Sequence, residues 1–183
     1  MRITGGTLAG RTISVEEGTS GIRPSMDSMR ESVFARLGDI TGCSFLDIFS
    51  GSGAIAIEAA SRGAARVEAV EQDKMKSRVL LNNVSISPVR INVKFIAAEL
   101  YIKRAKSRVS QIPFDIIFLD PPFPYKFKWE LVADAAASKL AVSGTKILIH
   151  RPRQDYMRAE IGNLEKTESR EYGRSVVDFF EVI

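Results

Sequence analysis

Between Ser44 and Ile149 the chain alternates short β-prone runs with longer stretches whose apolar residues fall at helical spacing. The runs are Ser44–Ile48, Val67–Glu71, Ile91–Ile96, Asp115–Leu119 and Lys146–Ile149. Between them lie a helix over Ala54–Arg62 ended by Gly63, a helix capped by Asp73, a basic helix reaching about Val109, and a helix over Trp129–Leu140. Met75, Val79 and Leu80 are expected to share one face of the second of these. Such alternation implies a parallel sheet with helices on both faces, because parallel neighbours need crossover connections. Glu165–Ile183 reads as two strands closing as a hairpin near Gly173, which adds antiparallel strands at one edge.

The first 24 residues differ. Met1–Thr4 and Thr12–Val15 are β-prone runs around Gly5, Gly6 and Gly10, the pattern of a hairpin. A helix follows from about Ser25. Ser28 and Glu31 have capping-box spacing, Met29, Val33, Phe34 and Leu37 share a face, and Gly38 is the stop. The division is residues 1–24 as an N-terminal hairpin extension and 25–183 as the main domain.

With 183 residues, 45% of them hydrophobic, the chain can bury a sizeable core. No apolar stretch approaches membrane-spanning length, and the N-terminus lacks the apolar core of a secretion signal. One cysteine, Cys43, cannot form an internal disulfide, which fits a cytoplasmic setting; it reads as a small hydrophobe beside the first strand. One cysteine and one histidine argue against a metal site. The net charge of +4 points mildly to a polyanionic partner. From Lys74 to Arg108 nine basic residues stand against one acid, Glu99, which is either a pair of solvated helix faces or a phosphate-attracting surface.

Two motifs carry chemistry. Phe45-Leu46-Asp47-Ile48-Phe49-Ser50-Gly51-Ser52-Gly53 is a strand entering a glycine turn and then a helix. Glycine lets a ligand approach the backbone, and the helix start offers unpaired N–H groups. Glu71 ends the next strand, where an acid can accept from ribose hydroxyls. Gly51-x-Gly53-x-x-Ala56 also matches the dinucleotide fingerprint. Asp47 tips the choice: a carboxylate there repels a pyrophosphate but can receive the ammonium of a methionine-like cofactor, which favours S-adenosylmethionine. The second motif, Asp120-Pro121-Pro122-Phe123, leaves the carboxyl end of the apolar run Ile116–Leu119. There a carboxylate and a carbonyl can grip the exocyclic amine of a flat base while the ring stacks on it. His150, at the end of the fifth strand, reads as a structural histidine.

The chain resembles the RsmD family, bacterial enzymes that methylate N2 of a guanine in 16S ribosomal RNA. The resemblance runs through Met1–Gly6 with Gly10-Arg11, Arg23-Pro24-Ser25, Asp27, Arg30-Glu31, Phe34, the Asp47–Gly53 turn, Glu58-Ala59, Ser61–Ala64, Glu71, the Asp120 tetrapeptide and Tyr172-Gly173. It implies a three-layer α/β fold: a Rossmann-like class I methyltransferase sheet, mostly parallel, with an antiparallel C-terminal hairpin and a small N-terminal β-hairpin. It also implies that the Arg23 segment folds over the methionine end of the cofactor. The chain has Ala35 where the family commonly has asparagine, and Ile96-Ala97-Ala98-Glu99 where it offers Asp or Asn to the adenine. The adenine is then held either by Glu99 or by backbone near Ala98.

The candidate cofactor contacts are Arg23, Ser25, Asp47, Phe49, Ser50, Gly51, Gly53, Glu71, Gln72, Ala98, Glu99 and Asp120. The catalytic set is Asp120, Pro121, Pro122 and Phe123, and the RNA contacts are Arg2, Arg11, Arg23, Phe123, Tyr125, Arg151 and Arg153. The expected partner is 16S ribosomal RNA within a small-subunit assembly particle, and a monomer is expected. The rival reading in the same class is an adenine-N6 methyltransferase acting on DNA or RNA.

Overall fold

The strand Ser44–Ile48 (β1) is covered on both faces, and the rest of the chain is arranged around it. The computed structural model describes residues 1–15 and 24–183, with side chains in the first helix from residue 27 onward. The elements are α1 (Pro24–Leu37), β1, α2 (Ala54–Ser61), β2 (Arg66–Glu71), α3 (Ser77–Val84), β3 (Ile91–Phe95), α4 (Ala98–Ser107), β4 (Ile116–Leu119), α5 (Lys128–Ala136), β5 (Lys146–Pro152), β6 (Glu160–Ile161), β7 (Leu164–Tyr172) and β8 (Ser175–Val182). The sheet order is β3-β2-β1-β4-β5-β8-β7-β6. The first five are parallel, whereas β8, β7 and β6 join antiparallel. The chain winds from β1 toward one edge and then returns to β4 on the other side of β1. Loops leaving β1 and β4 therefore diverge in opposite directions and leave a crevice between them.

Alternate strand residues face two helical layers. Phe45, Val67, Ala69, Phe118 and Leu148 pack with α1 and α2. Leu46, Ile48, Val70, Leu119 and Ile149 pack with α4 and α5. Period-two alternation in strands buried on both sides produces the apolar runs seen in the sequence. No helix among the described residues is long and apolar enough to cross a membrane.

The N-terminal segment is less regular than a ladder-forming hairpin. It has one bridge pair, Arg2 with Thr12, and a 3-10 turn over Gly6–Leu8. Its Ile3 and Ile13 are buried in the layer of α1 and α2. What fastens it is Glu58, wholly buried on α2. Glu58 accepts from Thr4 N (2.9 Å), Thr4 Oγ1 (2.7 Å), Arg30 Nε (3.1 Å) and Arg62 Nε (2.9 Å). Arg30, itself buried on α1, also reaches Asp27 and the carbonyl of Arg2. The approach is so close that a Cβ on Gly6 would lie 1.8 Å from the Ser61 carbonyl oxygen.

Several expected details differ. α1 begins at Pro24, a residue suited to the first helical position, so Ser28 and Glu31 lie inside the helix and form no capping box. Asp73 caps the turn Lys74–Lys76 through the Met75 N–H (2.9 Å), and this 3-10 turn rotates Met75 out to 88% exposure. Only Leu80 of the expected trio is buried. α5 ends at Ala136 rather than Leu140, and β6 is too short to show a period.

Glu58→Ala would strip the buried Arg30 of its one fully buried carboxylate, leaving it Asp27 and the Arg2 carbonyl. Breaking such a pair costs about 3–5 kcal/mol. The expected result is a loss of unfolding free energy of that size, read as a lower urea midpoint with an unchanged slope.

Candidate active site

The end of β1 bends sharply over β2, with the N–H groups of Phe49 and Ser50 both donating to the Val70 carbonyl (2.9 and 3.0 Å). The bend needs left-handed backbone at Phe49 (φ 68°), which no other non-glycine among the described residues adopts. Such strain costs about 1–3 kcal/mol and persists where the surroundings over-determine it. Beyond it, Gly51 has φ 54° and Gly53 φ 84°. The two glycines serve different ends. A Cβ on Gly51 would meet nothing nearer than 4.0 Å, so the space above that residue is open to a ligand. A Cβ on Gly53 would lie 2.8 Å from Leu80 Cδ1, so glycine there lets α2 pack on α3, not a ligand on the backbone.

Asp47 stands beneath the turn, 1% exposed. Its Oδ2 accepts from Ser50 Oγ (2.7 Å) and Ala56 N (3.2 Å). Its Oδ1 has no partner among the described residues. Burial pushes its pKa up to about 7, with the charges of Asp120 and Glu71 adding to the rise and the two hydrogen bonds opposing it. Glu71, also buried, braces the turn: Oε2 accepts from Gly51 N (2.9 Å) and Oε1 from Asp73 N (2.8 Å). Each carboxylate oxygen keeps a second lone pair for another donor. Gln72 beside it is exposed.

Ala98 is buried at the start of α4, and Ala97 caps that helix without a side-chain bond. Glu99 turns toward Tyr125, whose hydroxyl donates to Oε1 (2.5 Å). Tyr125 meets Phe49 edge-on with 5.7 Å between ring centroids. That places Tyr125 against the turn of β1. Tyr125 and Glu99 also wall a cleft of about 330 Å³ between α4 and α5, with Ile102 and Leu131 among its lining.

The tetrapeptide leaves β4 beside that turn. Leu119 pairs with Ile48 on one side and Ile149 on the other, and Asp120 N donates to the Ile48 carbonyl (3.1 Å). The Asp120 side chain is 27% exposed, and its Oδ1 lies 2.8 Å from His150 Nδ1. Pro121 is buried, Pro122 and Phe123 are exposed, and Tyr125 N closes the loop onto the Pro122 carbonyl (2.8 Å). Lys128, absent from the sequence-based set, holds the loop from below. It is buried, and its Nζ donates to the carbonyls of Phe123 (2.8 Å) and Tyr125 and pairs with Asp155 (2.8 Å). One cue existed: a lysine in the first turn of a helix opposes the dipole preference for acids there.

The arginines separate into two kinds. Arg2, Arg11 and Arg153 are exposed, with Arg153 paired to Glu171 (3.0 Å). Arg151 is buried, its guanidinium committed to Asp178 (2.5 Å), the Asp155 carbonyl (2.6 Å) and the Pro152 carbonyl (3.3 Å). Its Nε and Nη1 are spent on these internal partners, so Arg151 braces the loop after β5 against β8. Arg23, and the side chain of Ser25, lie outside the described residues. The basic run does not form one surface, because α3 packs with the layer of α2 and α4 with that of α5.

This topology, with its strained glycine turn and two acids at adjacent strand ends, is that of a Rossmann-like methyltransferase. The family described as conserved hypothetical protein 95 matches residues 1–181. The chain belongs to it, the RsmD family of methyltransferases. Ribosomal RNA small subunit methyltransferase D of Escherichia coli (strain K12) is 36% identical over 126 residues, 67% of this chain and 60% of that protein. The match thus leaves a substantial part of that relative unaligned. A solved hypothetical protein of Thermus thermophilus, TTHA0928, is 29% identical, covers 100% of this chain and 99% of its own, and superposes with a TM-score of 0.83. The structure of SMU.776 complexed with SAH shares the fold, with 16% identity and a TM-score of 0.69 over 88% of this chain and 50% of that one.

Asp47 makes stability depend on pH. The folded protein keeps this proton up to about pH 7, whereas an unfolded aspartate releases it near 3.8. The contribution favouring the fold is complete below about pH 4 and is lost as pH rises through 7. Asp47→Asn keeps an oxygen for Ser50 and Ala56 but cannot ionise. The expected outcome is a variant more stable than the parent at pH 8, with an advantage that shrinks at pH 5, read from urea unfolding at both values.

Proposed function

We propose that this chain transfers the methyl group of S-adenosylmethionine to the exocyclic N2 of a guanine in 16S ribosomal RNA. The observation that carries this reading is the β1–β4 register, which sets Asp120 beside Phe49 and the open space above Gly51. The name of the Escherichia coli relative supports small-subunit ribosomal RNA as the substrate. The reading extends to a cytoplasmic monomer working on an assembling small-subunit particle.

The residues fit the cofactor. Asp47 Oδ1 is a buried acceptor without a partner among the described residues, suited to an ammonium group. The remaining lone pairs of Glu71 suit ribose hydroxyls, and the backbone near Ala98 together with Glu99 suits the adenine. The cofactor would supply an electron-poor methyl group on a sulfonium sulfur.

The task left to the protein is to make a poor nucleophile reactive. The lone pair of an aryl amine is spread into the base. The Asp120 carboxylate accepts one N–H and the Pro121 carbonyl the other, which turns the lone pair out of conjugation and stabilises the positive charge that develops on nitrogen. Asp120 then takes the proton and, being partly exposed, passes it to water. Phe123 stacks on the base, worth about 1–3 kcal/mol. The base must be swung out of any helix to reach this depth. Of the arginines expected to meet RNA, Arg2, Arg11 and Arg153 are exposed and can turn to phosphates.

Two measurements test the reading. Nucleoside mass analysis of 16S RNA from cells lacking the protein should show loss of one N2-methylguanosine, restored by the parent gene and not by Asp120→Ala; loss of N6-methyladenosine alone would replace guanine with adenine. Glu71→Ala should weaken S-adenosylmethionine binding about tenfold or more in calorimetry, one charged contact being enough for that factor. Unchanged affinity would remove Glu71 from the ribose.

A further inference from the structure

The parallel pairing of Leu119 with Ile149 puts the next residue of each strand, Asp120 and His150, side by side at the carboxyl edge of the sheet. His150 is 6% exposed and faces Val177 of β8. Its Nδ1 lies 2.8 Å from Asp120 Oδ1. Its Nε2 is buried and has no partner among the described residues. The ring also meets Phe123 edge-on, 5.5 Å between centroids at 68°. A buried imidazole usually has both nitrogens satisfied. This one directs a single bond, and directs it at the carboxylate of the tetrapeptide.

We propose that His150 is a positioning residue: its Nδ1–H donates to Asp120 Oδ1 and leaves Oδ2 as the oxygen that accepts from the substrate amine. The inference rests on the role given to Asp120 above. An ionised carboxylate only accepts, so the proton between them belongs to Nδ1. The terminal torsion of an aspartate is broad and two-fold, and a partly exposed carboxylate beside water samples it. A bond from a ring clamped between β4 and β8 removes that freedom before substrate arrives, and orientation held in advance is what a reacting group needs. The same ring supports Phe123. The acceptor for the amine and the surface that stacks on the base are thus set by one side chain, and their separation is fixed.

Three variants separate this from packing. His150→Asn keeps an N–H where Nδ1 lies. His150→Gln carries its amide one bond further, where Nε2 lies. His150→Leu has neither. Methyl transfer is measured from labelled S-adenosylmethionine to small-subunit particles, and in parallel to deproteinised 16S RNA, both from cells lacking the protein. Thermal unfolding and calorimetric cofactor affinity serve as controls. The Asn variant should keep most of its turnover. The Gln and Leu variants should lose about 10- to 100-fold in kcat with an unchanged KM for S-adenosylmethionine, the range expected when a reacting group loses about an ångström of placement. Full turnover in Gln and Leu, or rescue by Gln in place of Asn, overturns the proposal. If the Leu variant does not fold, the contrast between Asn and Gln decides. Asp120→Asn keeps the two failures apart: normal turnover in it defeats the role of Asp120, whereas an inactive Asp120→Asn beside fully active His150 variants defeats only the inference about His150.

Discussion

Parallel register is the constraint on which the site depends. Ile48, Leu119 and Ile149 lie abreast on β1, β4 and β5, all facing the layer of α4 and α5. The residues that come next, Phe49, Asp120 and His150, are therefore brought abreast at the strand ends. A slip of one residue in either pairing would send Asp120 into the sheet or away from the turn. The apolar packing of both layers forbids that slip. The polar side chains at the edge are therefore placed by hydrophobic residues that never touch the crevice.

The second requirement is that the glycine turn be stiff. Val70 takes two hydrogen bonds from it, Glu71 braces Gly51, and Ser50 with Ala56 anchors Asp47. These bonds hold Phe49 in a backbone conformation it would not adopt alone. Behind the turn, α2 is fixed by Glu58, which joins it to the N-terminal segment and to α1 and also holds the helix's own cap residue, Arg62. An acid in the middle of a helix of small apolar residues is a costly choice. It is retained where its four partners satisfy it, and it converts an irregular N-terminal segment into part of the wall.

The sequence contained the architecture in the form physics most easily writes it. Short apolar runs such as Ile116–Leu119 read as strands buried on both faces, and their alternation with helical spacing implies a parallel sheet. The glycine turn and the tetrapeptide were visible because each joins unusual residue types at a strand end. What escaped depended on side chains meeting across long separations. Arg151 carries the same charge as Arg153, and only the fold shows that one faces Asp178 and the other solvent. Lys128 stands outside every motif the sequence offers, and His150 reads as a structural histidine whose partner the sequence does not name. Ser28 and Glu31 had the right spacing for a cap but the wrong place, because Pro24 had already started the helix.

Lys128 has a mechanical consequence. One ammonium group joins the backbone after Asp120 to Asp155, and the carbonyl of that aspartate is in turn held by Arg151. The loops leaving β4 and β5 are thereby yoked: neither can swing aside without dragging the other or stranding a cation in the interior. Movement of the one that carries the aromatic lip is a concerted event, felt by its neighbour along the strand ends.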